Sequence, residues 1–177
     1  MLQIQSTKDY SLSPSEFDKL YQIIIDAYAQ TEKEVWGENY VRVSKVKFQE
    51  LVDKGEVLVA FLNNEIVGGV HCLKLEDNAY SFSLLGADFN HSGKGIGKAL
   101  IKAVEQVAYT NGASEIRIEV LRAENIEVES KIILANWYER LGYPFVKTIN
   151  VFEVYNDKEK WAKLVNPSVF DCYLKKL

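Results

Sequence analysis

The sequence predicts an α/β domain of the α+β type with about seven strands and four helices. Hydrophobic residues make up 47% of the 177 residues and charged residues 26%, a balance typical of a soluble globular protein. Apolar positions alternate in some segments and recur at helical spacing in others, in the order βααβββαβαββ. A chain of this length buries enough surface for one core, so we expect a single domain over residues 1–177.

The N-terminal part of the chain predicts one strand and two helices. A serine cap at Ser13 and a proline at Pro14 mark the start of the first helix. The predicted elements are a strand over residues 4–6, a helix over 14–28, a partly ordered connection over 29–43 and a short helix over 46–54.

The next three strands are expected to pair as an antiparallel meander. They cover residues 57–62, 66–75 and 79–87, and Asn63-Asn64 and Glu76-Asp77-Asn78 supply the turns. The later elements are a helix from residue 96 that stops at Asn111-Gly112, a strand over 115–121, a helix over 130–140 that ends at Leu141-Gly142, an extended segment over 145–155, a short amphipathic piece around Trp161 and a last strand over 169–176.

Composition argues against several classes of function. A net charge of −4 and a pI near 5.3 do not suit the broad basic surface of a nucleic-acid-binding protein. No stretch approaches the roughly 18 apolar residues of a membrane span, and we expect a cytoplasmic protein without a membrane partner. The two cysteines and two histidines are isolated in the sequence, so no metal site is predicted.

A glycine-rich stretch, HSGKGIGKAL at residues 91–100, lies between the meander and the helix that follows it. Three of its glycines alternate with other residues, and Lys94 and Lys98 add positive charge. Backbone N–H groups at the start of a helix have no partners within it, and glycines allow an anion to approach them. Three alternating glycines also carry an entropic cost that a simple turn does not require. The stretch therefore predicts a phosphate site.

Two common phosphate loops do not fit the spacing of this stretch. A Walker A loop needs a glycine where Ser92 stands and a hydroxyl residue where Ala99 stands. A dinucleotide-binding fingerprint needs a glycine where Lys98 stands, and it follows a parallel strand rather than an antiparallel meander. Both of these loop types are excluded.

The stretch resembles motif A of the GNAT superfamily of N-acetyltransferases, whose pattern is Gln/Arg-x-x-Gly-x-Gly/Ala between the fourth strand and the third helix. Gly95 and Gly97 match its two small positions. Ser92 departs from the pattern, because family members usually carry arginine or glutamine there. The side-chain part of the phosphate clamp is therefore missing, and the backbone amides remain, with Lys94 and Lys98 at the rim.

A second stretch, LANWYERLGYPFV at residues 134–146, resembles the second cofactor motif of the same family. Tyr138 falls on the position of the usual general acid, and Gly142-Tyr143 on the glycine-aromatic pair that ends the helix. Lys131 replaces an asparagine often found at the start of that helix. The element order is also the family's order, and the resemblance implies the GNAT fold, a mixed, mostly antiparallel sheet of about seven strands flanked by about four helices.

The resemblance implies an N-acetyltransferase that uses acetyl-CoA and transfers the acetyl group to an amine by direct attack. The pantetheine would pair with residues 85–87, and the pyrophosphate would lie on residues 93–98. A backbone N–H near Leu85 would stabilise the oxyanion, and Tyr138 would protonate the departing thiolate. The cofactor-binding residues would be Leu85, Gly86, Ala87, Ser92, Gly93, Lys94, Gly95, Ile96, Gly97, Lys98 and Tyr138.

The base that deprotonates the amine is left unassigned. Glu119 is expected to form a surface ion pair with Arg117, which leaves no carboxylate that stands out. The strand over residues 79–85 carries only Ser81 and Ser83 among its polar residues, and His71 and Asp88 are further candidates. A water-mediated relay, or an amine that is already partly neutral, is expected.

Acceptor preference is expected to depend on residues 29–43 and 146–169, which flank the acceptor side in the family. The acidic and aromatic residues of the first segment would attract a cationic amine, or they form a solvated loop with core aromatics. They are Glu32, Glu34, Trp36, Glu38 and Tyr40. The partner would be a small-molecule or peptide amine, and a homodimer is left open. The alternative is a non-catalytic acyl-CoA-binding regulatory module with the same fold, which Ser92 and the unassigned base favour.

Overall fold

A computed structural model describes residues 1–177 and contains seven strands and seven helices. The strands are β1 (Leu2–Ser6), β2 (Val57–Leu62), β3 (Glu65–Lys74), β4 (Ala79–Ala87), β5 (Glu115–Ala123), β6 (Phe145–Asn150) and β7 (Ser168–Lys176). The helices are α1 (Pro14–Thr31), α2 (Lys33–Trp36), α3 (Lys45–Asp53), α4 (Ile96–Thr110), α5 (Glu129–Arg140), α6 (Val151–Val154) and α7 (Lys158–Trp161). The four long helices are those expected from the sequence, and α2, α6 and α7 are single turns.

All seven strands belong to one mixed sheet in the order β1-β2-β3-β4-β5-β7-β6. Antiparallel pairing joins β1 to β2, β2 to β3, β3 to β4 and β6 to β7. The predicted antiparallel meander is therefore confirmed, and so is the mixed sheet.

The chain divides into two compact units. The first comprises Met1–Tyr28, Val41–Ile116 and Leu177, and the second comprises Ala29–Tyr40 and Arg117–Lys176. The single domain expected over residues 1–177 stays a prediction.

The first unit has an apolar core in which residues of α1 and α3 cluster with strand residues. Helix α1 starts with a reciprocal cap, because the Ser13 N–H donates to Glu16 Oε2 (2.7 Å) and the Glu16 N–H donates to Ser13 Oγ (3.3 Å). The buried residues of this core are Phe17, Leu20, Ile23, Ile24, Phe48, Leu51, Val52, Val57, Val59, Phe61, Ile66 and Leu84.

Glycines let helix α4 approach the sheet closely. A Cβ at Gly68 of β3 would lie 2.7 Å from the carbonyl oxygen of Gly86 and 2.9 Å from Cγ2 of Ile96, the first residue of α4. Both distances are shorter than a van der Waals contact allows. Gly68 therefore fixes where the glycine-rich stretch enters α4.

The second unit has its own core, and residues 29–40 of the expected connection belong to it. Helix α2 forms there, with Val35 1% and Trp36 5% exposed. The Trp36 ring stacks on Tyr40 at 4.3 Å and on Trp161 at 6.0 Å between centroids. The connection is thus more ordered than expected over residues 29–36, where contacts distant in sequence bury apolar side chains, while residues 37–43 form no helix or strand.

The extended segment expected over residues 145–155 is wrong in its second half. Strand β6 ends at Asn150, whose side chain accepts a hydrogen bond from the Phe152 N–H (3.0 Å) and caps α6. Asparagine is a preferred residue at this position of a helix. Val151 is 2% exposed and joins the core of the second unit, which stabilises the single turn.

None of the helices is long and apolar enough to span a lipid bilayer. No group of three or more histidine, cysteine, aspartate or glutamate residues is placed to hold a metal ion. Both cysteines are free, and burial raises the pKa of Cys72 to about 12. Its thiol therefore stays protonated near neutral pH.

Candidate functional site

Strand β4 contains a bulge just before the residues predicted to pair with a cofactor. The register between β3 and β4 slips after Gly69, so that Leu84 and Leu85 together face Val70. Leu84 has a φ of +51°, a left-handed conformation that bulky residues rarely adopt. A bulge leaves its extra residue without a partner in the ladder. The backbone around Leu85 therefore lies at an interruption of the β3–β4 hydrogen bonds.

A short turn at residues 89–91 connects β4 to the glycine-rich stretch. Asp88 accepts a hydrogen bond from the Asn90 N–H (2.9 Å) and pairs with Nδ1 of His91 (3.2 Å). The bond from the Asn90 backbone is the main reason that the pKa of Asp88 is lowered. The carboxylate serves as a cap, and its lowered pKa makes it a weaker proton acceptor than an ordinary carboxylate, so we do not propose Asp88 as the base.

Gly93 and Gly95 turn the chain into helix α4. Their φ angles are +76° and +74°, in the left-handed region that favours glycine. A Cβ at either position would meet no heavy atom within 4 Å. These glycines are required by backbone torsion, and the space beside them is open to a ligand.

Helix α4 begins directly after Gly95, which occupies its N-cap. The first backbone bond of the helix runs from the Ala99 N–H to the Gly95 carbonyl oxygen (3.0 Å). The N–H groups of Ile96, Gly97 and Lys98 precede this bond and have no acceptor inside the helix. They lie at the positive end of the helix dipole, an arrangement that suits a phosphate or pyrophosphate.

The lysine side chains around these amides add positive charge, but no side chain replaces the phosphate-binding arginine or glutamine of the family pattern. Lys94 and Lys98 are exposed, and Ser92 is exposed as well. The Ser92 N–H donates to the Phe89 carbonyl oxygen (3.2 Å), which closes the turn before Gly93. A serine side chain is too short to reach an anion as arginine or glutamine would. Binding at this loop therefore depends on backbone amides.

Tyr138 lies in the second unit, in the last turn of α5. Its side chain is 5% exposed, and its ring packs against those of Trp137 (5.4 Å), Tyr143 (6.2 Å) and Tyr173 (5.8 Å). Packing on three aromatic rings restricts the orientation of the phenol. Its role as general acid stays a prediction.

The end of α5 confirms the stop predicted from its glycine. The Tyr143 N–H donates to the Tyr138 carbonyl oxygen and the Gly142 N–H donates to that of Glu139, both at 3.0 Å. Gly142 has a φ of +88°, which completes a Schellman motif. The Lys175 ammonium also caps the helix by donating to the Leu141 carbonyl oxygen (3.0 Å).

Residues 17–143 match the model of the acetyltransferase (GNAT) family. The chain belongs to the GNAT acetyltransferase family. The match includes the whole glycine-rich stretch, helix α5 with Tyr138, and the Gly142-Tyr143 pair. The resemblance found in the sequence is thereby confirmed.

Solved structures share the fold of this GNAT protein at low sequence identity. A PaiA N-acetyltransferase from Thermoplasma acidophilum in complex with coenzyme A is 18% identical, with a TM-score of 0.71 over 100% of this chain and 99% of that chain. A GNAT acetyltransferase from Elizabethkingia anophelis with acetyl-CoA bound is 16% identical, with a TM-score of 0.65 over 99% and 98%. An aminoglycoside 6'-N-acetyltransferase complexed with coenzyme A is 16% identical, with a TM-score of 0.67 over 98% and 96%. A search of curated protein sequences finds no significant match.

The acidic segment of this GNAT chain holds a buried ion pair that the sequence does not reveal. Glu32 is 5% exposed and accepts a hydrogen bond from Nε1 of Trp36 (3.1 Å). Its other oxygen lies 3.6 Å from the ammonium of Lys131, which is 8% exposed. Glu32 therefore neutralises Lys131 and is not part of a solvated acidic loop. The four-residue spacing of Glu32 and Trp36 is the one signal in the sequence for this contact.

Glu119 of β5 lies in surroundings that raise its pKa. Its side chain keeps contact with solvent, yet the surrounding protein atoms desolvate the carboxyl. The surface ion pair expected with Arg117 stays a prediction, and the raised pKa makes Glu119 an alternative to test as the base.

Proposed function

We propose that this protein is an acetyl-CoA-dependent N-acetyltransferase that acts on a primary amine of a small molecule, an amino acid or a peptide. The observation that carries the proposal is the loop formed by Gly93 and Gly95, which leads into the first amides of α4 and has open space beside its glycines. Membership of the acetyltransferase family supplies the reaction class. The coenzyme A complexes of two structural neighbours and the acetyl-CoA complex of a third support the choice of cosubstrate.

The residues present fit the phosphates of coenzyme A. The N–H groups of Ile96, Gly97 and Lys98 would bind the pyrophosphate, and Lys94 and Lys98 would add charge at the rim. The pantetheine would pair with the backbone of residues 85–87, beyond the bulge. The bound cosubstrate supplies an acetyl thioester to this chain.

The chemistry proposed for these residues is a direct transfer. Holding amine and thioester together removes up to about 7–11 kcal/mol of the barrier. A carbon–nitrogen bond forms, the carbon–sulfur bond breaks, and the backbone N–H near Leu85 stabilises the oxygen on which charge develops. Tyr138 donates its proton to the departing thiolate, and the phenol is later reprotonated from solvent.

The proposed substrate class rests on the net charge of the whole chain and on one structural neighbour. The net charge of −4 favours a cationic partner over an anionic one. The structural neighbour that is an aminoglycoside 6'-N-acetyltransferase supports an amine acceptor. Residues 29–43 and 146–169 are proposed to flank the acceptor.

The experiment is a measurement of acetyl-CoA-dependent thiol release across a panel of amines. The panel contains a linear diamine, an aminoglycoside, lysinamide and a short peptide with a free amino terminus. Tyr138→Phe should lower kcat about 100-fold or more while the affinity for coenzyme A, measured by calorimetry, stays close to that of the wild type. Tyr109→Phe is the matched control, because Tyr109 is 69% exposed near the end of α4.

A second candidate is a non-catalytic acyl-CoA-binding regulatory module with the same fold. Ser92 favours it, because the loop lacks the arginine or glutamine of the family pattern. Saturable binding of acetyl-CoA without turnover on any amine of the panel would establish this alternative and refute the enzyme.

A further inference from the structure

Three side chains of the first unit form a hydrogen-bonded chain outside the cofactor loop. Nδ1 of His71 on β3 lies 3.0 Å from Oγ of Ser83 on β4, and Nε2 of His71 lies 3.1 Å from Oε2 of Glu56. His71 and Ser83 are direct partners across the antiparallel β3–β4 ladder, which brings both side chains to one face of the sheet. Glu56 immediately precedes β2.

For an ionised Glu56 and a neutral His71 ring, one arrangement of hydrogens satisfies both hydrogen bonds. An ionised carboxylate can only accept, so Nε2 of His71 carries the hydrogen that it donates to Glu56. Nδ1 of the neutral ring is then an acceptor, and the Ser83 hydroxyl donates to it. In this arrangement the carboxylate orients the imidazole, and the imidazole accepts a hydrogen bond from the serine hydroxyl. The serine can therefore pass its proton to the imidazole.

The three hydrogen-bonded side chains differ in how far they are exposed to solvent. His71 is 9% exposed, Glu56 is partly exposed, and Ser83 is exposed. The hydroxyl is therefore the end that a substrate meets, and the imidazole is sheltered behind it. Ser83 is the last residue before the bulge, and Leu85 is two residues further along β4.

We propose that Ser83, His71 and Glu56 form the proton relay that deprotonates the attacking amine. The proposal rests on the proposed acetyl transfer near Leu85 and names its missing base. The amine of the acceptor passes a proton to Oγ of Ser83, while the hydroxyl proton of Ser83 moves to Nδ1 of His71. The imidazolium is stabilised by Glu56 and returns its proton to solvent after the amide has formed. In this scheme Ser83 touches the substrate, and Glu56 is a positioning residue for His71.

Other titratable groups surround the relay. Lys47 of α3 and Cys72 of β3 interact electrostatically with Glu56, and Tyr80 of β4 interacts with Cys72. Burial raises the pKa of Cys72 to about 12 and also raises that of Tyr80, so neither ionises near neutral pH. Glu56 is the carboxyl that contacts the His71 ring.

The first test measures kcat/KM against pH with the best amine of the panel described above. Ser83→Ala and His71→Gln should each lower kcat/KM about 100-fold at pH 7, because a positioned base contributes at least that much. The loss should shrink as the pH approaches the pKa of the free amine, near 10 for an alkylamine, where the neutral amine needs no base. Ser83→Thr keeps a hydroxyl and should restore the rate.

The controls separate loss of the relay from loss of the fold. Ser81→Ala removes a hydroxyl from the same strand and should keep the wild-type rate and pH profile. Coenzyme A affinity by calorimetry and the thermal midpoint report folding, and Ser83→Ala is an exposed change that should leave both in place.

Three results would overturn the relay, and they are distinguishable. If the wild type acetylates no amine of the panel, the proposed function itself fails. If the wild type turns over and Ser83→Ala keeps its rate and profile within twofold, only the relay fails. If Glu119→Gln lowers kcat/KM at pH 7 in the way expected for loss of the base, and Ser83→Ala does not, the base is Glu119.

The second test needs no turnover. The chain contains two histidines, so nitrogen-15 NMR of the imidazoles gives two sets of signals, and His91→Gln assigns them. His71 should be the Nε2–H tautomer at neutral pH, and Glu56→Gln should remove that preference. An Nδ1–H tautomer in the wild type would refute the relay whatever the kinetics.

Discussion

Gly93 and Gly95 have φ angles of +76° and +74°, and Gly112 at the other end of α4 has +73°. At all three, a Cβ would meet no heavy atom within 4 Å. A side chain there costs free energy through the backbone alone, about 1–2 kcal/mol for an L residue in this region. What distinguishes Gly95 from Gly112 is its position beside the amides at the start of the helix.

Gly95→Ala should lower both stability and cofactor affinity, whereas Gly112→Ala should lower stability alone. Both variants should lose about 1–2 kcal/mol of the free energy of unfolding in urea, because both impose the same torsional strain. In Gly95→Ala the backbone relaxes at the proposed pyrophosphate site, and the Kd for coenzyme A should rise more than tenfold by calorimetry. Equal affinities for the two variants would count against the loop as the phosphate site.

At the scale of elements, the position of α4 depends on the β3–β4 hairpin beneath it. Gly68 has no room for a Cβ between Gly86 and Ile96, the residue with which α4 starts. Gly68 thus packs against both the backbone of the strand that carries the bulge and the side chain of the first residue of α4. Stability and ligand binding are expected to be coupled here.

Gly68→Ala should destabilise the protein by about 1–3 kcal/mol, since overpacking displaces the backbone of Gly86 or the start of α4. Gly69→Ala is its neighbour and control. Its Cβ would lie 2.7 Å from Cδ1 of Leu20, the far end of a side chain that can move, and 3.2 Å from the Leu58 carbonyl oxygen, a longer backbone contact than the 2.7 Å at Gly68. Urea denaturation gives both free energies of unfolding, and a loss for Gly69→Ala as large as that for Gly68→Ala would contradict this account.

At the scale of the whole molecule, ligand binding should appear as thermal stabilisation. Coenzyme A at 100 times its Kd should add about 2.7 kcal/mol. In a chain of 150–250 residues, each kcal/mol of added stability raises the thermal midpoint by about 2–4 °C. The midpoint should therefore rise by roughly 5–10 °C. Adenosine at the same concentration lacks the phosphates and should give no such rise. A midpoint that coenzyme A leaves unchanged would oppose the proposed function.

The parts of the molecule that sequence could predict are those determined locally. Gly95 and the amides after it, and Gly142 at the end of α5, follow from torsion preference and helix capping within a few residues. The Glu32–Lys131 pair could not be predicted, because it joins residues 99 positions apart through tertiary packing. The pairing of His71 with Ser83 is intermediate, since both lie six residues from Asp77 in the predicted turn.

The bulge in β4 lies between two parts of the proposed site. Ser83 comes before the extra residue, and the phosphate loop follows it along the chain. Deleting Leu84 would leave Leu85 alone opposite Val70 and make the ladder regular, with Ser83 still opposite His71 and Gly86 still opposite Gly69. The strand would then lose the local bend that a bulge introduces and the left-handed backbone of Leu84. The additional residue therefore bends β4 between the hydroxyl proposed to take the proton and the loop proposed to hold the phosphates.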